Sequence, residues 1–221
     1  MEPGLLEALD PEDRRRVLAA SRRRTFARRE VLFHRGDPGE AVHLLTSGAV
    51  AVYVTTPLGS PAIFAVFGPG EAVGEMALIE AGERTATAIA LEPTETLSLR
   101  RGQFEELRRD HPQIDRVLVH LLAARVRRQN DDLVDAYFAS AETRVIRRLH
   151  AIAGRVPAAG KMRTIRLTQE DIAALAGTTR PTANRVLRDL ERAGILVLHR
   201  GRIQVIRPDL LASRAPGGRA P

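Results

Sequence analysis

Two clusters in this chain have residue types and spacings that could do chemistry. The first is Gly70-Glu71-Ala72-Val73-Gly74-Glu75-Met76, with Arg84-Thr85 following ten residues after Gly74-Glu75. Gly74-Glu75 opens a short helical turn, whose free N–H groups can hold an anion. Arg84 and Thr85, at the start of a strand, offer a phosphate a guanidinium and a hydroxyl. The Glu75 carboxylate could accept a ribose hydroxyl, completing a small phosphate-and-ribose clamp. Residue types alone fit a plain salt bridge across a turn equally well, and both readings stand at this point.

The second cluster runs from Thr168 to Leu190. Thr168 can cap a first helix and Asp171 answers its dipole. Ile172, Ala173 and Leu175 give that helix an apolar face. Gly177 makes a tight turn and Thr179 caps a second helix, where Pro181 is tolerated in the first turn. Val186, Leu187 and Leu190 face inward, leaving Arg180, Thr182, Asn184, Arg185 and Arg188 for the outer and flanking faces. A helix so arranged suits the DNA major groove, with Arg180 and Arg185 offering paired donors to guanine. Thr168, Gln169, Thr178 and Thr182 could donate to phosphates.

Nothing else suggests catalysis. There is no cysteine, no Walker loop, no nucleophile elbow and no metal-ligand spacing. Glu105-Glu106, Asp131-Asp132 and Glu170-Asp171 are sequence neighbours, so on helices their side chains diverge by about 100°. The chain reads as a non-enzyme without a metal site.

The elements that must position these clusters follow from patterning. Residues 5–24 read as one or two short helices, started by Asp10-Pro11-Glu12. From Arg29 to Arg100, short β-branched segments alternate with glycine turns, which predicts a closed β-roll or sandwich. One long helix is expected after Pro112. On it Val119, Leu122, Val126, Gln129, Leu133 and Ala136 recur at alternating spacings of 3 and 4 as a coiled-coil seam, which wants a second copy of the chain. A helix through Val145–Ile152, the helical pair and a β pair at Ile195–Leu198 and Ile203–Ile206 complete a winged helix-turn-helix. The tail from Pro208 reads as frayed.

The fold class is therefore α+β: a β-roll domain at 1–110, a dimerisation helix at 111–138, a winged helix-turn-helix at 139–208 and a disordered tail at 209–221. Charge agrees. Residues 138–221 hold 16 basic and 6 acidic residues, whereas residues 1–137 carry a slight acidic excess. A basic module on a near-neutral partner points to a polyanion. No apolar stretch approaches the roughly 18 residues of a membrane helix, and Met1-Glu2-Pro3-Gly4 lacks a signal-peptide pattern. A soluble, cytoplasmic protein with no membrane partner is expected.

The β-roll carrying Gly74-Glu75-Met76-Ala77-Leu78 and Glu83-Arg84-Thr85-Ala86, the seam helix, and the motif Arg180-Pro181-Thr182-Ala183-Asn184-Arg185 together resemble bacterial transcription regulators of the catabolite activator protein (CRP/FNR) family. The resemblance covers about Leu5 to Pro208. It implies an allosteric homodimer on a palindromic site in double-stranded DNA, a cyclic nucleotide (cAMP) in the β-roll, and RNA polymerase as a partner. By matching position, Gly74 and Glu75, beside Met76, would hold ribose and ring, and Arg84 with Thr85 the cyclic phosphate. Gln129 and Asn130 would reach the purine, with Arg125 nearby. Thr168, Gln169, Thr178, Thr179, Arg180, Pro181, Thr182, Asn184, Arg185 and the wing's Arg202 would form the DNA face. Pro181 stands where well-known members carry Glu, and Gln129 where Thr is usual. The absence of cysteine excludes a cluster of the FNR kind, and His34, His43, His111 and His120 are too scattered to suggest haem. Rival readings are the same fold without a ligand, controlled by abundance, a nucleotide-sensing subunit of another protein, and a haem-based gas sensor.

Overall fold

The computed structural model describes residues 9–55, 61–79, 82–156, 158–160 and 162–215. These fall into two compact units, residues 9–54 with 67–130 and residues 55–66 with 131–215.

In the first unit, helix α1 (Pro11–Ala20) starts where Asp10 accepts the N–H groups of Glu12 and Asp13, with Pro11 at its first position. The expected helical stretch to residue 24 stops short. Arg22–Phe26 is instead strand β1, paired antiparallel with β8 (Thr94–Arg100) from Arg22 opposite Ser98 to Phe26 opposite Thr94. As an edge strand with only Phe26 buried, it lacks the alternation that marks a half-buried strand. Strands β2 (Val31–Phe33), β3 (Ala41–Ser47), β4 (Val50–Thr55), β5 (Pro61–Phe67) and β6 (Ala72–Val73) follow, then the short helix α2 (Met76–Ile79) and β7 (Thr87–Ala90). One sheet runs β1-β8-β3-β6; the other contains β2-β7-β4. The neighbours β1/β2, β3/β4 and β7/β8 alternate between sheets, which is jelly-roll wiring.

The β3–β4 turn depends on Gly48. Its φ is +83°, and a Cβ there would stand 2.6 Å from the Pro93 carbonyl oxygen and 2.7 Å from Thr94 Cα. Because both obstacles are backbone, Gly48→Ala is expected to cost on the order of 2–4 kcal/mol in urea unfolding. Helix α3 (Arg101–Asp110) precedes the 26-residue helix α4 (Gln113–Phe138), and the boundary between the units falls within α4, after Asn130.

In the second unit, Ser140 caps α5 (Ala141–Arg155), which buries Val145, Ile146, Leu149, Ile152 and Ala153 along one stripe. Strands β9 (Ala158–Ala159) and β10 (Met162–Ile165), absent from the sequence reading, precede α6 (Gln169–Leu175) and α7 (Arg180–Arg192). The wing is β11 (Leu196–His199) and β12 (Arg202–Val205), in a sheet ordered β11-β12-β10-β9. The tail needs correction. Pro208–Ser213 forms α8, which packs on α5 with Leu211 fully buried and Ala215 nearly so. Pro208 begins the helix and a single apolar anchor holds it, against a Pro/Gly-rich composition that suggested fraying. Residues 216–221 lie outside the described residues.

Among the described residues, no helix is long and apolar enough to cross a membrane.

Candidate functional site

The first cluster lies on an open recess of about 380 Å³, a volume that includes the solvent at its mouth. Phe33, Val52, Phe67 and Val73 line it with Gly74, Glu75, Met76, Arg84, Thr85 and Arg125. The backbone fold positions Arg84 closely. Its Nη1 donates to the Gly74 carbonyl at 2.8 Å, its Nη2 donates to the Ala41 carbonyl, and its guanidinium lies 4.1 Å from the centre of the Phe33 ring. Gly74, at φ +86°, permits this approach, since a Cβ there would fall 2.3 Å from Nη1.

Arg84 is 5% exposed, no carboxylate forms an ion pair with it among the described residues, and its Nε has no hydrogen-bond partner. Burial lowers its pKa, with the more distant charges of Asp37 and Glu75 opposing and Arg101 adding to the effect. A buried cation lacking an ion-pair partner is costly, and an anion in the recess would relieve that cost. Glu75 is ion-paired with Arg125, whose guanidinium lies 5.3 Å from the Phe67 ring centre. Met76 and Thr85 are exposed at the lip. Gln129 and Asn130 are exposed on α4 and do not line the recess of a single chain. Strand β7 begins at Thr87, leaving Arg84 and Thr85 in the preceding irregular segment.

His43 lies buried behind Arg84. Its Nδ1 is 3.1 Å from Thr96 Oγ1 and its ring 6.2 Å from that of Phe33. Burial, then the charges of Arg84 and Arg24, hold its pKa down to about 4. The unfolded chain therefore binds a proton near pH 6.5 that the folded chain refuses until about pH 4. Stability is expected to fall as pH drops across that window, by about 3 kcal/mol in total from this residue. Urea midpoints of the wild type and His43→Gln between pH 7 and 4 check this, the variant giving the shallower slope.

The second cluster forms the helix pair. Ala173 and Ala183, both buried, let α6 and α7 pack closely, and Thr178 N–H donates to the Ala173 carbonyl at 2.9 Å around the Gly177 turn. Thr179 caps α7 by accepting from Thr182 N–H at 3.4 Å, and the two hydroxyls lie 3.0 Å apart. Arg180, Pro181 and Arg185 are exposed, Thr178 and Thr182 half-buried, and Val186, Leu187 and Leu190 buried as expected. Gln169 is half-buried at the start of α6, and Arg202 is exposed on the wing.

One assignment changes. The Thr168 hydroxyl donates to Asp171 Oδ2 at 2.7 Å and accepts from Asp171 N–H at 3.1 Å. Its single proton is committed to the capping box, so it is not a free phosphate donor. Asn184 is half-buried, with its Oδ1 shut away from solvent. The sequence reading missed Glu191, which pairs with Arg188 at 2.9 Å and accepts from Leu198 N–H at 2.8 Å, tying α7 to the wing. It also missed Arg144, whose guanidinium donates to three backbone carbonyls. Contacts between segments distant in sequence leave no local signal. Among the described residues, no group of three or more acidic or histidine side chains could hold a metal.

A jelly roll with a recess beside a buried cation, followed along the chain by a long helix and a winged helix-turn-helix, has the make-up of a DNA-binding transcription regulator. Residues 23–111 match the cyclic nucleotide-binding domain and residues 143–214 the Crp-like helix-turn-helix domain. The chain is 36% identical to the cyclic AMP receptor protein of Thermus thermophilus, over 96% of this chain and 97% of that one. It is 32% identical, over 86% of each, to a CRP-like cAMP-activated global transcriptional regulator of Mycobacterium tuberculosis. The crystal structure of the Thermus thermophilus catabolite activator protein superposes with a TM-score of 0.55 at 35% identity, covering 96% of this chain and 98% of the other. The chain belongs to the CRP/FNR family of transcription regulators, which are not enzymes.

Proposed function

We propose that two copies of this chain pair along α4 and bind a palindromic operator under the control of cAMP in the β-roll recess. The observation that carries the ligand part is Arg84: a buried guanidinium with no ion-pair partner among the described residues and with Nε unpartnered, at the wall of a recess. A cyclic phosphate supplies the missing anion, with the Thr85 hydroxyl as a second contact. Glu75, braced by Arg125, accepts the ribose 2′-hydroxyl beside Gly74, and Met76 covers the lip. Gln129 and Asn130, exposed on α4, reach the purine where the two copies meet. The names of the two relatives support cAMP over other cyclic nucleotides.

Pairing is supported by the seam. Val119, Val126 and Leu133 are 64%, 54% and 54% exposed in one chain, at the spacing that lets two helices interlock. The sensor segment 1–110, the pairing helix 111–138 and the DNA-binding segment from 139 then divide the work in a cytoplasmic regulator that acts on RNA polymerase. Arg180 and Arg185 meet guanine edges beside Pro181, with Asn184 on the flank of the same helix, while Gln169, Thr178, Thr179, Thr182 and Arg202 meet the phosphates; Thr168 sets the first helix behind them. Half-sites about 34 Å apart are expected. The ligand shifts the equilibrium only by its differential affinity for the two orientations.

Titration calorimetry with cAMP and cGMP, then footprinting with and without the nucleotide that binds, tests the proposal. No binding at millimolar concentration would refute the gating. A footprint indifferent to nucleotide would favour control by abundance.

A further inference from the structure

We infer that Arg144 sets the spacing of the two half-sites this regulator accepts, by locking the helix-turn-helix to the end of the pairing helix; the inference rests on the paired, palindromic reading above. Arg144 is half-buried in the first turn of α5. Its Nη1 donates to the Ala139 carbonyl at 2.8 Å, its Nε to the Ala176 carbonyl at 2.8 Å and its Nη2 to the Gly177 carbonyl at 3.0 Å. Ala139 follows directly on α4, and Ala176-Gly177 is the turn that ends α6. One cation thus occupies the carbonyl ends of two helices at once, where dipoles and unpaired oxygens both favour it.

Two ion pairs fix the same corner from the side: Arg147 with Asp135 and Arg148 with Asp132 join α5 to the last turns of α4. The three arginines lie along one stretch of α5, and none belongs to the face assigned to base or phosphate contact. Their combined effect is geometric. In a pair held along α4, the direction in which each α7 projects depends on how the Gly177 turn is held relative to Ala139. Arg144 bonds to both. Each added base pair moves a half-site by about 3.4 Å along the duplex and turns it about the axis, so a rigid corner accepts one spacing and a loose corner accepts several. A planar fork can serve three carbonyls in fixed directions, which an ammonium on a flexible stem cannot.

The test uses the full chain with saturating cAMP and a palindrome selected from random duplexes, remade with one base pair added or removed at its centre. The wild type is expected to prefer the selected spacing by ~30-fold or more, each mismatch of register costing what a poor base contact costs. Arg144→Gln should narrow that preference to within ~3-fold, and Arg144→Lys should lie between, with non-specific DNA affinity unchanged in both. An unaltered spacing profile in the variants overturns the inference, even if binding weakens uniformly. If the glutamine variant does not fold, the lysine variant decides by the same criterion. A flat profile in the wild type refutes the palindromic reading and this inference with it; a sharp wild-type profile retained by the variants refutes this inference alone.

Discussion

Arg84→Leu is expected to weaken cyclic nucleotide binding by ~100-fold or more, because two charge-assisted hydrogen bonds are each worth about 1.5–3 kcal/mol. Leucine keeps an apolar contact with Phe33 but leaves the Gly74 and Ala41 carbonyls without their donor. Some loss of order around Gly74 is therefore expected beside the loss of charge. Arg84→Lys separates the two causes. It retains the cation and loses the fork, so a partial recovery of affinity marks charge, and no recovery marks the geometry of the fork. Calorimetry with cAMP provides the readout, and a urea midpoint near that of wild type shows that the roll stays intact. Equal affinity in wild type and Arg84→Leu would remove this residue, and with it the recess, from the ligand site.

The second large effect is expected at the start of α7. Arg180→Ala should cost ~1–3 kcal/mol on a selected operator and much less on random duplex, since a fork aimed at guanine discriminates between bases. Arg202→Ala, on the wing, should weaken both to a similar extent and reduce the slope of log affinity against log salt by about 1. Salt titrations of both variants on both duplexes check the assignment. Equal loss on random DNA for Arg180→Ala would contradict the base-reading role.

Much of this fold is legible in local chemistry. Asp10, Thr168 and Thr179 each start or cap the helix their type and position predict, because an N-cap depends on the next three residues alone. The helix after Pro112 and the wing pair are predicted to within a residue or two. What escapes depends on distant partners. Strand β1 looks polar because its only anchor is Phe26 and its pairing with β8 joins residues about 70 positions apart. Helix α8 hides in a flexible-looking tail because one leucine holds it. The candidate recess is legible as a pair, Gly74-Glu75 with Arg84-Thr85, but its walls are not. Phe33 and Phe67 come from separate strands, and the Ala41 carbonyl that steadies Arg84 leaves no trace in side-chain types. Arg125 is foreseen as a neighbour, and its ion pair with Glu75 emerges only in three dimensions.

The cations that steady the recess, tie α5 to its neighbours and tip α7 are all guanidinium groups, and Lys161 is the only lysine in the chain. Primary amines are what acetyl donors, reducing sugars and most conjugation dyes attack, whereas guanidinium stays protonated and resists them. Enzymatic or metabolic acylation thus has almost no purchase on the working surfaces. Labelling directed at side-chain amines would therefore attach to none of the residues assigned to either cluster.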